Sequence, residues 1–254
     1  MKETDRYFNG IADKFARNIY GTTKGKLRHL LLLEAMQPFL EGGPQHIIEL
    51  GGGTGIMARA LLALGHNVTL TDASEDVLAL ARELLVDYPQ AKIAQATLQS
   101  IDNLADYDMV VCHAVLEWLA DPLATLTRLS QQMRPGSVLS VSFFNRDAAL
   151  FQNAVYGNFD YIARGMKVKN QVRLNPDNAL APREVIHHVT QAGFEIAAQS
   201  GIRCFHDYMQ HKPDNDEVFA QLLALERQYG QQAPFCWLGK YFHLMLRKPD
   251  KPAD

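Results

Sequence analysis

The chain has 254 residues, a net charge of −3 and a hydrophobic share of 47%, which fits one globular domain with room for an insertion. The slightly acidic balance argues against a general nucleic-acid binder, so any site for a polyanion must be a local patch. No apolar stretch approaches the ~20 residues of a membrane span, the first residues lack a signal-peptide core, and the cysteines show no metal-binding spacing. We therefore expect a cytoplasmic protein without a membrane or metal partner.

The first predicted element is a basic N-terminal segment within residues 1–30. Residues 18–25 are turn-rich and polar and carry Tyr20 as a candidate exposed aromatic. Between Lys14 and Arg28 the segment has five basic residues and no acidic one. This charge fits a lid over a ligand that also meets an anion, and it fits a solvated helix and loop equally well. An amphipathic helix is predicted over residues 27–40.

A glycine-rich turn follows the first predicted strand, 46–50. The segment 49–55 reads E-L-G-G-G-T-G and leads into a helical pattern, a layout that suits close approach of backbone to a nucleotide-like ligand. It matches the pattern [D/E]-x-G-x-G-x-G. The dinucleotide pattern G-x-G-x-x-G fails from Gly51, although its relaxed form with a final alanine can run from Gly53 to Ala58. A tight turn without a ligand is the remaining alternative.

Strands and helices then alternate, which predicts a parallel, doubly wound sheet. Strands are predicted at 67–71, 92–96, 109–112 and 137–144, and helices at 55–65, 75–87 (capped by Ser74) and 122–133. In such sheets ligands bind at the carboxyl ends of the strands. Asp72 ends the second strand, where an acid can accept hydrogen bonds from both ribose hydroxyls. The strand ends, which we expect to converge on one crevice, are Glu49–Gly53, Asp72, Leu98–Gln99, His113 and Phe144–Asn145.

Residues 147–183 interrupt the alternation and predict a helical insertion. Aromatic residues precede four basic residues, Arg164, Lys167, Lys169 and Arg173, in a stretch without acids. Basic residues beside aromatics suit a single-stranded nucleic acid. The alternative, which composition alone favours, is an insertion with a solvated face and its aromatics in the core.

The last part of the chain predicts a helix at 182–191, a strand over 195–198 and 202–205, a helix at 214–229 and a final strand at 238–248. At the end of the first of these strands and just after it, Arg203, His206, Asp207 and Tyr208 lie close together in sequence. We find no nucleophile paired with a base anywhere in the chain.

The motif at 49–55, Asp72, His113 and the late strand pair resemble the class I S-adenosylmethionine (SAM)-dependent methyltransferases. Four stretches, 18–25, 113–118, 157–161 and 205–208, are similar to the bacterial tRNA 5-carboxymethoxyuridine methyltransferases, and the resemblance runs from about residue 5 to residue 248. It implies an α/β fold in one domain over 1–254: a doubly wound, mostly parallel Rossmann-like sheet with an antiparallel last strand. Residues 1–30 would be a lid segment and residues 147–183 a substrate-side insertion.

The resemblance also implies an activity, which is methylation of the terminal carboxylate of 5-carboxymethoxyuridine at the tRNA wobble position, with SAM as cofactor and tRNA as partner. Contacts to SAM are implied for Arg28, Gly52, Gly53, Asp72, Leu98, Gln99 and His113. One departure is Ser100, which stands where an acidic residue often follows Gln99 and could contact the adenine amino group.

Methylating a carboxylate needs no general base, because the acceptor is already an anion near pH 7. Positioning and exclusion of water would then carry the rate. Arg203 is the first candidate to orient the acceptor. Other candidate substrate contacts are Tyr20, His206, Lys167, Lys169 and Arg173. Three alternatives stay open: a methyltransferase of a small carboxylic acid or acyl carrier, a SAM-binding protein without catalysis, and an NAD-dependent oxidoreductase.

Overall fold

The structure, a computed structural model, describes Asp5 and the ranges 22–166 and 178–250. Within these ranges, every helix is too short or too polar to reach across a bilayer. The same ranges contain no group of three or more His, Cys, Asp or Glu side chains that could hold a metal ion.

A seven-stranded sheet forms the centre of the described chain. Its strands are β1 His46–Leu50, β2 Asn67–Asp72, β3 Lys92–Gln95, β4 Met109–His113, β5 Val138–Phe144, β6 Glu195–Ile202 and β7 Tyr241–Arg247. Their order across the sheet is β3-β2-β1-β4-β5-β7-β6. The first five strands pair in parallel, whereas β7 runs antiparallel to both β5 and β6. The order reverses between β1 and β4, which opens a ligand crevice at the carboxyl ends of these strands. The predicted fold class is confirmed.

Helices cover both faces of the sheet. They are α1 Thr23–Met36, α2 Ile56–Ala63, α3 Glu75–Leu84, α4 Pro122–Gln132, α5 Arg146–Val155, α6 Phe159–Ala163, α7 Pro182–Gln191 and α8 Asp216–Tyr229. Short 3₁₀ turns lie at Gln37–Phe39, Leu98–Ser100, Leu104–Asp106, Leu116–Trp118, His206–Tyr208 and Phe235–Leu238. One buried core joins α1, α2, α3 and α8 to one face, and a second core joins α4 and α7 to the other. This is the two-faced burial that makes parallel strands continuously apolar.

Asn145 ties the end of β5 to the insertion and to the chain before β7. Its side-chain oxygen accepts from the N–H groups of Asp147 (3.0 Å) and Ala148 (3.3 Å) and so caps α5. Its amide donates to the carbonyls of Trp237 (2.8 Å) and Gly239 (3.0 Å). The residue is fully buried. These bonds fix one wall of the crevice.

Three local predictions were wrong. Ser74 occupies the N-cap position of α3, but its hydroxyl makes no cap hydrogen bond. The strand predicted over 195–198 and 202–205 is β6, with a bulge between Ile196 and Ala198, but it ends at Ile202 and does not continue to 205. The last strand begins at Tyr241, because Phe235–Leu238 forms a 3₁₀ turn.

Candidate active site

The glycine turn lies at the carboxyl end of β1 in the predicted place. Gly51, Gly53 and Gly55 have φ values of +66°, +58° and +79°, a backbone region that glycine adopts without steric cost. Gly52 is required for a different reason. A Cβ at this position would lie 2.1 Å from Leu70 Cδ1 and 2.6 Å from Glu49 Cδ. The turn therefore depends on glycine both for its conformation and for its close packing against β2.

Asp72 ends β2 beside this turn. Its carboxylate accepts from the Gly53 N–H (3.0 Å) and from the Ser74 N–H (2.9 Å). Burial raises the pKa of Asp72, and these N–H groups oppose the shift. The carboxylate is thus held at the crevice edge, with lone pairs left for a ligand hydroxyl.

Glu49, the first residue of the glycine motif, is a buried acid. It is 5% exposed, and its Oε2 atom has no hydrogen-bond partner in the described chain. Burial raises the pKa of Glu49 to about 8, and the nearby Asp72 charge raises it further, against the effect of the Ala58 N–H. The ligand-free fold therefore favours a protonated Glu49 at neutral pH.

This shift predicts a pH-dependent stability for the ligand-free protein. The folded state keeps the proton on Glu49 up to about pH 8, whereas an unfolded glutamate loses it near its ordinary pKa of about 4.3. The stabilising contribution is present below that lower value and is lost as pH rises through about 8. We expect Glu49→Gln, which mimics the protonated form, to gain several degrees in Tm relative to wild type between about pH 5.5 and 8. Thermal unfolding across this range measures the offset. Glu83→Gln, at an exposed acid of α3, is the control for replacing a carboxylate with an amide.

A difference in Tm between Glu49→Gln and wild type that stays constant with pH would contradict the raised pKa of Glu49.

The turn at Leu98–Gln99 is held in place by Arg128 of α4. The Arg128 guanidinium donates to the carbonyls of Leu98, Gln99 (3.1 Å) and Ile101 (3.2 Å). Because three carbonyls share one rigid cation, the backbone of this predicted cofactor contact is fixed. The sequence prediction did not include Arg128, which lies 29 residues beyond Gln99.

Asp5 lies in the predicted lid segment and reaches the crevice. Its carboxylate accepts from Gln99 Nε2 (2.6 Å) and from the Ala120 N–H (2.7 Å). It therefore bridges the loop after β3 and the loop after β4. Closure of residues 1–30 over a ligand stays a prediction.

His113, at the end of β4, belongs to a buried polar chain on the sheet face that α1 covers. Its Nε2 lies 2.7 Å from Ser140 Oγ, which in turn lies 2.9 Å from His243 Nε2. His243 Nδ1 lies 3.2 Å from Ser200 Oγ. Burial lowers the pKa of both histidines; neighbouring His243 and Arg28 lower that of His113 further. His113 is therefore neutral near pH 7 and can bound a ligand by shape and hydrogen bonding.

Two arginines meet at Tyr241, the first residue of β7. The guanidinium carbon of Arg28 lies 5.3 Å from the centroid of this ring, and that of Arg203 lies 5.7 Å from it. The structure thus brings together the predicted cofactor contact Arg28 and the predicted acceptor contact Arg203. Cations held on an aromatic face keep a defined orientation.

Arg203 is only 7% exposed and forms a two-bond ion pair with Asp207. Its Nε and Nη2 donate to the two carboxylate oxygens at 2.7 and 2.6 Å. His206 Nδ1 lies 3.4 Å from the same carboxylate. Although burial raises the pKa of Asp207, the His206 and Arg203 contacts hold it well below its usual range. The negative charge of Asp207 therefore offsets part of the positive charge of Arg203. The Nη1 atom of Arg203 takes no part in the two hydrogen bonds to Asp207.

The loop that carries Arg203 and His206 is anchored by Glu226 of α8. The carboxylate of Glu226, 1% exposed, accepts from the consecutive N–H groups of Cys204 (2.6 Å), Phe205 (3.0 Å) and His206 (3.1 Å). Arg203 just before them has a φ of +65°, so the loop turns sharply after β6. The sequence prediction missed Glu226, which stands twenty residues away in an ordinary helical pattern.

Exposed aromatic side chains of the insertion lie beside the same loop. Phe151, Tyr156 and Phe159 are 43%, 55% and 68% exposed, so the expectation that composition favoured, aromatics in the core, was wrong for these three. Tyr156 and Gln152 donate to the carbonyl of Asp207 at 3.2 and 2.9 Å. Tyr156 thus joins this aromatic surface (Phe151, Tyr156 and Phe159) to the loop that carries Arg203, and the Phe151 ring contacts Tyr208 at the end of that loop, with centroids 5.4 Å apart.

Lys240 adds a cation that the sequence prediction did not include, because it was placed inside the last strand. Its Nζ lies 4.8 Å from the Phe144 ring centroid and donates to Gln152 Oε1 at 2.7 Å. Burial lowers the pKa of Lys240, and the charge of Asp207 opposes this shift. The remaining predicted contacts, Tyr20, Lys167, Lys169 and Arg173, lie outside the described residues.

Comparisons with known proteins agree with this geometry. A family model described as a methyltransferase domain matches residues 48–139. The tRNA 5-carboxymethoxyuridine methyltransferase of Escherichia coli (strain K12) is 39% identical over 96% of this chain and 97% of its own length. A ubiquinone biosynthesis O-methyltransferase of Aromatoleum aromaticum is 30% identical over 62% of this chain and 67% of its own. Magnesium protoporphyrin IX methyltransferase from Synechocystis PCC 6803, solved with bound S-adenosylhomocysteine (SAH), superposes with a TM-score of 0.62 at 17% identity, covering 95% of this chain and 96% of that one.

Proposed function

The chain belongs to the class I SAM-dependent methyltransferases, in the family of the tRNA 5-carboxymethoxyuridine methyltransferases, and from this premise we propose that it methylates the carboxylate of 5-carboxymethoxyuridine in tRNA. The observation that carries the proposal is the 39% identity to the Escherichia coli enzyme over almost the whole of both chains. tRNA would then be the partner and the cytoplasm the compartment. The oxidoreductase alternative is wrong, because the glycine turn lies in the matched methyltransferase domain.

The described residues fit the cofactor. The positive-φ glycine turn brings backbone close to the crevice, and Asp72 is fixed where ribose hydroxyls would meet it. Among the described residues, buried oxygens of Glu49, Thr54 and Ser74 around the turn have no hydrogen-bond partner. We assign the turn at Gly52–Gly53 and Asp72 to the nucleoside, Leu98–Gln99 to the adenine side, and Arg28 with His113 to the methionine end. When bound, SAM supplies a methyl group on a positively charged sulfonium.

Around the acceptor, the task of the chain is to hold an anion in line without removing its nucleophilicity. Arg203 can direct a carboxylate, and its pairing with Asp207 limits how strongly it neutralises that carboxylate. No side chain needs to remove a proton, since the acceptor is ionised at neutral pH. The protein supplies orientation and exclusion of water. We include closure of the part of residues 1–30 that precedes α1 in this proposal, because Asp5 already bridges two crevice loops; residues 23–30 belong to α1, which packs in the core.

The aromatic surface supports a nucleic-acid acceptor over a small acid. Three exposed rings beside Arg203 and Lys240 offer stacking platforms next to cations, a combination that suits unpaired bases. A small carboxylic acid would have no use for rings outside the crevice.

The direct test is nucleoside mass spectrometry. Bulk tRNA from a strain deleted for this gene is incubated with the pure protein and SAM, and Asp72→Ala protein serves as the inactive control. We expect conversion of 5-carboxymethoxyuridine to its methyl ester with wild type alone. No conversion by a protein that binds SAH normally would overturn the proposal and turn the search to small carboxylic acids.

Removing one ring of the aromatic surface should weaken tRNA binding. Loss of base stacking costs about 1–3 kcal/mol per base, so Phe159→Ala should raise the KM for tRNA roughly 5- to 100-fold, with SAH affinity unchanged. Steady-state kinetics with modified tRNA measures this effect. Val86→Ala, at another exposed apolar residue (73% exposed) at the end of α3, is the matched control. Equal KM values for both variants would exclude this surface from tRNA binding.

A further inference from the structure

Glu117 is a buried acid outside the sets of residues assigned to the cofactor and to the acceptor. It lies in the 3₁₀ turn Leu116–Trp118, which follows β4, and it is 1% exposed. Neither of its carboxylate oxygens has a hydrogen-bond partner in the described part of the chain. Because an unpaired buried carboxylate is costly, this residue indicates a partner that is not among the described residues.

The surroundings of Glu117 are those of the cofactor crevice. Val115, two residues earlier, packs against the glycine turn, since a Cβ on Gly51 would lie 2.7 Å from its Cγ2. Ala114 has a φ of +56°, so the chain turns sharply where β4 ends. The Asn178 N–H donates to the Glu117 carbonyl at 3.1 Å. This bond anchors the backbone of the turn.

Arg28 lies within electrostatic reach of Glu117. Burial raises the pKa of Glu117 to about 7, against the effects of its own N–H, of the Arg28 charge and of the Phe144 N–H. The Arg28 charge also lowers the pKa of His113. Arg28 and Glu117 are therefore close enough for their charges to interact, at the end of the crevice assigned to methionine and with the neutral His113.

An amino acid is a zwitterion, and this pair of opposite charges complements one. Arg28 is the predicted partner of the methionine carboxylate. The other charged group is a primary ammonium, with three donors and no acceptor, and a carboxylate makes the strongest hydrogen bonds to such a group. We propose that Glu117 binds the α-ammonium group of SAM and so positions the methionine end of the cofactor. This inference concerns the cofactor alone, so it can fail while the tRNA proposal holds.

The test measures binding of three ligands by calorimetry, to wild type and to Glu117→Gln. The ligands are SAH, its deaminated analogue, which keeps the carboxylate, and 5′-methylthioadenosine, which has neither charged group. We expect Glu117→Gln to weaken SAH about 10- to 100-fold, the range for a hydrogen bond between charged groups. Binding of the other two ligands should be nearly unchanged.

Controls separate this role from a structural one. Glu117→Asp keeps the charge and should lose less SAH affinity than Glu117→Gln, and Glu83→Gln should bind all three ligands as wild type does. Equal losses for the three ligands would overturn the proposal, as would unchanged SAH affinity. If neither Glu117 variant folds, the wild-type protein alone still tests the proposal. Near-equal affinity of wild type for SAH and for its deaminated analogue would overturn it.

Discussion

Replacing Gly52 with alanine should destabilise the protein and weaken SAH binding together. The added Cβ would lie 2.1 Å from Leu70 Cδ1 and 2.6 Å from Glu49 Cδ, inside the closest approach that carbon atoms tolerate. Leu70 is buried in the core below the turn, so the turn or the side chain must move. Overpacking of this kind costs about 1–3 kcal/mol, which lowers Tm by several degrees, and a displaced turn should reduce SAH affinity at least about tenfold. Thermal unfolding and calorimetry measure the two effects.

Gly65→Ala is the matched control for Gly52→Ala. Gly65 follows α2 with a φ of +89° and open space where a Cβ would lie, so alanine there adds backbone strain of about 1–2 kcal/mol without a clash. We expect a stability loss with normal SAH binding. In the double variant Gly52→Ala/Leu70→Ala the nearer of the two clash partners is gone, so the stability loss of the double variant should be smaller than the sum of the losses in the two single variants. Additive losses, or normal SAH affinity in Gly52→Ala, would contradict the packing argument.

The order of elements follows from the sequence because alternation and glycine spacing are local signals. The run before Glu49, the turn at Gly51–Gly55 and the acid at Asp72 predict the crevice from the sequence alone. Element ends were less predictable. Residues Phe235–Leu238 are apolar enough for a strand, yet they form a 3₁₀ turn. In this turn the Trp237 ring stacks on the Phe242 ring, with the two ring centroids 5.2 Å apart. Tertiary packing overrides local preference there.

The residues that sequence reasoning missed share one property, which is that their partners are distant in the chain. Glu226 contacts the Arg203 loop across twenty residues or more, and Arg128 contacts carbonyls about 30 residues earlier. Glu117 stands inside an apolar run, where a single acid carries no periodic signal. Its lack of partners becomes visible only once its burial is known. Such groups are found by accounting for buried polar atoms in the folded chain.

Replacing Arg203 with alanine should lower kcat on modified tRNA about 100-fold, the loss expected when a reacting group is held about 1 Å out of place. SAH affinity should stay within a few-fold of wild type, because Arg28 keeps its own contact with Tyr241. The substitution also leaves Asp207 buried without its partner, and breaking a buried pair costs about 3–5 kcal/mol. Stability must therefore be separated from turnover.

The double variant Arg203→Ala/Asp207→Ala makes that separation. Removing both charges should recover most of the Tm lost in Arg203→Ala, because no unpaired carboxylate remains, while kcat should stay low because the acceptor still lacks its cation. Arg203→Lys keeps the charge but not the two-bond geometry with Asp207, and should fall between wild type and alanine. Single-turnover methylation of modified tRNA at saturating SAM measures the chemical step in all four proteins. Normal turnover in Arg203→Ala, or turnover that recovers with Tm in the double variant, would show that Arg203 supports the loop and does not orient the acceptor.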